Sequence, residues 1–152
     1  QDHTACASPV TRRGLLQTGI AALASGELLA AASDPGAITL EPAEKVQTQK
    51  FPWGWIRWVM NGQIDPNAEM TLGIVQVEPH QTNPLHVHPN SAEYMHMLSG
   101  TCEHLMGDRW VTLKAGDTLR IPKGVVHQAR TKDEPFRAVI VYDTPARQMV
   151  TK

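Results

Sequence analysis

Cysteine is almost missing from this chain, which carries two, Cys6 and Cys102. Two thiols cannot build the disulfide framework that stabilises small cystine-rich domains, so stability must come from a packed core. An excess of charge of either sign is also lacking, because the formal net charge is −1. That balance argues against nucleic acid or an anionic membrane surface as a partner. No uninterrupted apolar run reaches the ~18 residues that a membrane-spanning helix needs. Helical periodicity is absent beyond the N-terminal segment. The 152 residues leave room for one domain and little more.

Turn formers are plentiful, with eleven proline and eleven glycine residues. So many turns fit short strands better than long helices. The N-terminal segment reads as an address. Arg12-Arg13 precede a moderately apolar stretch from Gly14 to Ala32, and Ala30-Ala31-Ala32 offers a small-residue cleavage site before Ser33. This arrangement resembles a twin-arginine export signal and implies a periplasmic or secreted protein. The alternative is an ordinary N-terminal helix packed on the domain. The expected organisation is an export signal over 1–32, a linker or arm over 33–45 and a β domain over 46–147. In the exported form Cys102 stands alone as a small buried hydrophobe.

Strands are expected over Met70–Val77, Ala92–Leu98, Thr101–Met106, Trp110–Leu113, Thr118–Ile121, Val125–Ala129 and Arg137–Tyr142, with glycine-bearing turns between several of them. Evenly spaced short strands predict an all-β sandwich or small barrel.

Four residues carry the chemistry. His86 and His88 are two apart, so on an extended strand both imidazoles share a face. Pro89 and Asn90 allow a turn that brings Glu93 beside them. His127 follows the Pro122-Lys123-Gly124 turn. Three neutral nitrogens and one carboxylate suit one divalent transition metal among Mn, Fe, Co, Ni, Cu and Zn. Four protein ligands on one barrel wall leave coordination positions open, which is the mark of a catalytic metal.

The spacing of these residues resembles the cupin superfamily. The first motif of that family, G(X)5HXH(X)3,4E(X)6G, reads here as His86-Val87-His88, Glu93 and Gly100. The second, G(X)5PXG(X)2H(X)3N, reads as Gly116, Pro122-Lys123-Gly124, His127 and Thr131. His80 stands where the first glycine would be, and Thr131 replaces the final asparagine. The resemblance covers roughly residues 70–143. It implies a double-stranded β-helix, the cupin jelly-roll barrel, with His86, His88, Glu93 and His127 as metal ligands.

Alternation from Glu93 sends Met95 and Met97 inward and Tyr94, His96 and Leu98 outward. Parity therefore argues against His96 as a fifth ligand, and His104 likewise reads as a packed or surface residue. Trp53, Trp55 and Trp58 can cap a barrel mouth but read first as core or subunit surface. Arg57, Arg120 and Gln63 read first as surface groups. His80 and Tyr142 are the candidate catalytic residues.

By resemblance, the function is that of a metal-dependent enzyme acting on a small oxygenated substrate such as a sugar acid, carboxylate or diketone. Lewis-acid isomerisation, elimination and dioxygenation all fit. The alternative is a module that binds or senses a small ligand without turnover. A homodimer is expected, because by resemblance an arm such as residues 38–50 of this chain commonly adds an edge strand to a partner.

Overall fold

A computed structural model describes residues 39–152. The expected export signal, Cys6 and the start of the expected linker lie outside the described residues. Every regular element among the described residues is a strand: β1 (Thr48–Phe51), β2 (Gly54–Met60), β3 (Thr71–Val77), β4 (His86–Val87), β5 (Glu93–Ser99), β6 (Thr101–Met106), β7 (Arg109–Lys114), β8 (Thr118–Ile121), β9 (His127–Arg130), β10 (Phe136–Tyr142) and β11 (Val150–Thr151). They form a six-stranded sheet in the order β1-β2-β3-β10-β5-β8 and a five-stranded sheet in the order β11-β4-β9-β6-β7. All strand pairings are antiparallel.

The sequence builds these strands by period-two alternation. β3 buries Thr71, Gly73, Val75 and Val77, while β5 buries Glu93, Met95 and Met97 and exposes Tyr94, His96 and Leu98. β10 alternates in the same way, burying Phe136, Ala138, Ile140 and Tyr142. These inner faces meet Cys102 of β6, Leu113 of β7 and Ala129 of β9 in one core. Residues from both sheets share that core, so the architecture is the closed jelly-roll barrel expected from the sequence.

Gly100 holds the β5–β6 turn at φ +75°, and a Cβ there would lie 2.1 Å from the Pro135 carbonyl oxygen. Only glycine allows that approach. His80 occupies the same left-handed region at φ 57°. The leading glycine of the family motif is therefore a backbone requirement at this position. Histidine meets it at some cost, because non-glycine residues seldom adopt that region. Thr131 supports the same turn, donating its hydroxyl to the Glu78 carbonyl and accepting the Gln81 N–H.

Most ends of the expected strands fall within one residue of expectation, and two larger differences have a structural cause. β9 starts at His127 rather than Val125, because the Pro122 turn continues through a Val125 N–H to Pro122 carbonyl bond. Pairing also continues past residue 147, where Val150–Thr151 add to β4 as an edge strand.

Candidate metal centre

β4 carries His86 and pairs with β9 at His86↔His127. His88 follows β4, and Glu93 opens β5 across the barrel. The Gly124 N–H donates to the His88 carbonyl, so the turn before His127 is tied to the His86–His88 segment. All four side chains are buried, and one ligand atom from each lies within 4.8 Å of the others. The three imidazole rings stand 4.1–5.1 Å apart between centroids.

The second nitrogen of each ring decides what the cluster can hold. Nδ1 of His86 lies 2.7 Å from the Pro84 carbonyl, Nδ1 of His88 2.6 Å from the Gln148 carbonyl, and Nδ1 of His127 2.9 Å from the Val125 carbonyl. A carbonyl only accepts, so each Nδ1 is the protonated donor. In a neutral ring Nε2 then carries a lone pair. Nε2 of His88 and His127 lie 3.1 and 3.3 Å from Oε2 of Glu93. None of these three buried atoms has a hydrogen-bond partner. Lone pairs converging on a buried carboxylate repel one another, and a cation among them removes the repulsion. The donor set therefore fits a divalent transition metal, with backbone carbonyls orienting the ligands from behind.

The protonation states agree. Burial and the neighbouring His127 push His86 down to about 4, favouring the neutral, ligating form. Burial alone raises the Glu93 carboxyl; protons shared from His127 and His88 outweigh it and keep the group a carboxylate, and a cation bound between them would do the same.

The centre opens into a cavity of about 210 Å³. That is below the ~300–1,000 Å³ of sites for drug-sized ligands, so a small molecule is the natural occupant. The walls are mostly apolar, with Ile56, Trp58, Met95, Phe136 and Ile140 among them. Tyr142 belongs to the same cavity, its ring 4.8 Å edge-on from His88, and burial followed by Glu93 pushes its phenol well above the usual range.

His104 is packed inside, the first of the two placements expected for it, and lines the cavity. It is buried on β6, stacked over His127 at 5.8 Å, and pushed down to about 4, chiefly by burial. The available signal was the β6 alternation, which buries Cys102 and His104 together. Arg147 also lines the cavity, and no motif in the sequence marks it.

Other candidates lie elsewhere. The His80 side chain is 72% exposed at its turn, 3.8 Å from Asp133, and does not line the cavity. His96 faces outward, 2.9 Å from the Thr118 hydroxyl. Trp53 and Trp58 line the cavity, whereas Trp55 points away beneath Arg137. Arg57 donates to the Ala43 carbonyl, Arg120 to the Tyr94 hydroxyl, and Gln63 lines a separate outer groove.

Residues 73–142 match the family described as the cupin domain. The fold is the cupin barrel. Among solved structures, the oxalate decarboxylase of Lactobacillus farciminis in complex with formate superposes with a TM-score of 0.66 at 22% identity, over 71% of this chain and 34% of that one. A Bacillus subtilis oxalate decarboxylase studied for its Mn(II) centres superposes at 0.64 and 20% identity, over 69% of this chain and 29% of the other. This chain thus spans about a third of the length of those enzymes. No curated protein sequence matches it significantly.

Proposed function

We propose that this cupin is a metal-dependent enzyme acting on a small oxygenated molecule. The observation that carries the reading is the convergence of His86, His88, Glu93 and His127, with tautomers set by backbone carbonyls, on a small and mostly apolar cavity. A bound divalent ion would supply Lewis-acid polarisation of a substrate oxygen, or a redox centre if the metal is Mn, Fe, Ni or Cu. Manganese is the first metal to test, because a structural neighbour is described by its Mn(II) centres.

The chain's own residues supply the rest. The apolar wall excludes water and raises the strength of every polar contact inside. Tyr142 keeps its proton at neutral pH and hydrogen-bonds the Glu93 carboxylate, which orients that side chain in the cavity. His104 stays neutral and presents a second polar edge beside His127.

One observation favours a second reading, ligand binding without turnover. Neither His104 nor Tyr142 is shifted toward neutrality, where a general acid or base works best. Metal analysis by mass spectrometry on protein from its native compartment tests the shared premise. His86→Ala, His88→Ala and His127→Ala should each lose most of the metal, and undiminished metal would sink both readings. Turnover of small keto acids and diketones by the metal-loaded protein separates the two.

Export through the twin-arginine-like segment and a homodimer belong to the same proposal. β1 is an edge strand with three exposed residues, and an uncovered edge invites a partner strand. Light scattering decides the oligomeric state, and fractionation of the producing cells decides the compartment.

A further inference from the structure

The chain between β10 and β11 is tied down almost residue by residue. Thr71 donates its hydroxyl to the Thr144 carbonyl, and the Gly62 N–H donates to the Pro145 carbonyl. The Asn90 side-chain amide then brackets one residue. Its NH2 donates to the Ala146 carbonyl at 2.8 Å, and its oxygen accepts the Gln148 N–H at 2.9 Å. The residue between is Arg147.

Its side chain is held differently. The guanidinium lies 4.7 Å from the Trp58 ring centroid and 5.1 Å from that of Tyr142. Two aromatic faces thus orient the planar cation. Among the described residues it forms no ion pair and no hydrogen bond. Arg147 lines the metal cavity together with Glu93 and His127, and it also borders the outer groove that runs past Asn61 and Gln148. It therefore stands where a ligand entering from that groove would pass.

We infer that Arg147 is the specificity-determining residue for the anionic end of the substrate, and that the substrate is a small monocarboxylate with a second oxygen directed at the metal centre. This rests on the reading of the four-residue cluster as a metal site. A fixed guanidinium with its N–H groups uncommitted presents the fork that pairs with a carboxylate through two parallel bonds. Among the described residues that line the cavity, Arg147 is the one lysine or arginine, so it can pair with one anionic group, and a second oxygen of the same molecule is left to the metal centre. The cavity of about 210 Å³ limits the rest of the molecule to a few heavy atoms.

The test uses metal-loaded protein and three probes: pyruvate, the neutral diketone acetylacetone, and inorganic phosphate. Dissociation constants are read by calorimetry for the wild type, Arg147→Met and Arg147→Lys. Arg147→Met should weaken pyruvate by about tenfold or more, the loss expected when a charge-assisted pair is removed. It should leave acetylacetone affinity and metal content unchanged. Arg147→Lys should recover part of the pyruvate affinity, since lysine keeps the charge but not the fork. Equal pyruvate affinity in wild type and Arg147→Met overturns the inference. So does a matching loss for acetylacetone, tighter binding of phosphate than pyruvate, or no pyruvate binding by the wild type at millimolar concentration. Failure of the metal reading shows separately, as absence of bound metal in the wild type. The pyruvate comparison between wild type and Arg147→Met still reads Arg147 in that case.

Discussion

The imidazole of His88 donates its Nδ1–H to the backbone carbonyl of Gln148, sixty residues further along the chain, at 2.6 Å. A candidate metal ligand is thus oriented by the same short segment that carries Arg147. The outer partner of a ligating histidine fixes both its tautomer and its aim.

Asn90 holds that segment through two hydrogen bonds, so Asn90→Ala should loosen the carbonyl that orients His88. The expected result is a loss of about 10- to 100-fold in metal affinity, the range typical of outer partners of metal ligands. Global stability should fall by only about 1–2 kcal/mol, the net worth of two exposed bonds. Competition with a metal-sensitive dye measures the first and urea unfolding the second. Unchanged metal affinity would show that the 146–148 segment does not orient the centre.

Acid should destabilise the metal-free protein. His86 and His104 are both held near 4 when folded, below the ordinary value of ~6.5 for an unfolded chain. Between those values the unfolded chain binds protons that the folded one refuses, so stability is complete above ~6.5 and is lost as pH falls toward 4. Each histidine contributes up to ~3 kcal/mol by this linkage. Urea unfolding of chelated protein from pH 7.5 to 4 reads the slope. His104→Phe should make it shallower, and a flat profile would contradict the burial argument.

Trp58 lies over Gly73. A Cβ at Gly73 would stand 2.8 Å from Cε3 and 2.9 Å from Cζ3 of that ring. Gly73→Ala should push the indole off its place in the cavity wall, costing about 1–3 kcal/mol as overpacking does. Tryptophan fluorescence should shift with the ring, and pyruvate affinity should drop because Trp58 supports Arg147. An unshifted emission maximum with unchanged stability would show that the site gives way elsewhere.

His80 should prove dispensable to the chemistry. Its side chain is exposed at a left-handed turn outside the cavity. His80→Gly should leave metal content and turnover unaltered and change stability by no more than ~1 kcal/mol. His80→Val should cost more, since a β-branched residue resists positive φ. Thermal unfolding with metal analysis checks both. Loss of turnover in His80→Gly without loss of stability would return His80 to the list of candidate catalytic groups.

The amino-acid sequence by itself determined most of the strand pattern and the candidate metal-ligand set. Period-two alternation is a local property of an extended chain, so Met95 and Met97 could be placed inside and His96 outside without knowledge of any neighbour. The spacing of His86, His88, Glu93 and His127 carried the centre, because the turns at Pro89-Asn90 and Pro122-Lys123-Gly124 are short-range devices. Tertiary structure alone decided the rest. His104 shares its inward parity with Cys102, but only barrel closure shows that it faces His127 rather than plain core. Within the aromatic segment of residues 51–58, strand pairing decided that Trp58 meets Gly73 inside while Trp55 lies outside beneath Arg137. Arg147 and the Gln148 carbonyl had no signal to read. A backbone carbonyl looks the same at every residue, and what it touches sixty positions away depends on how the sheets close.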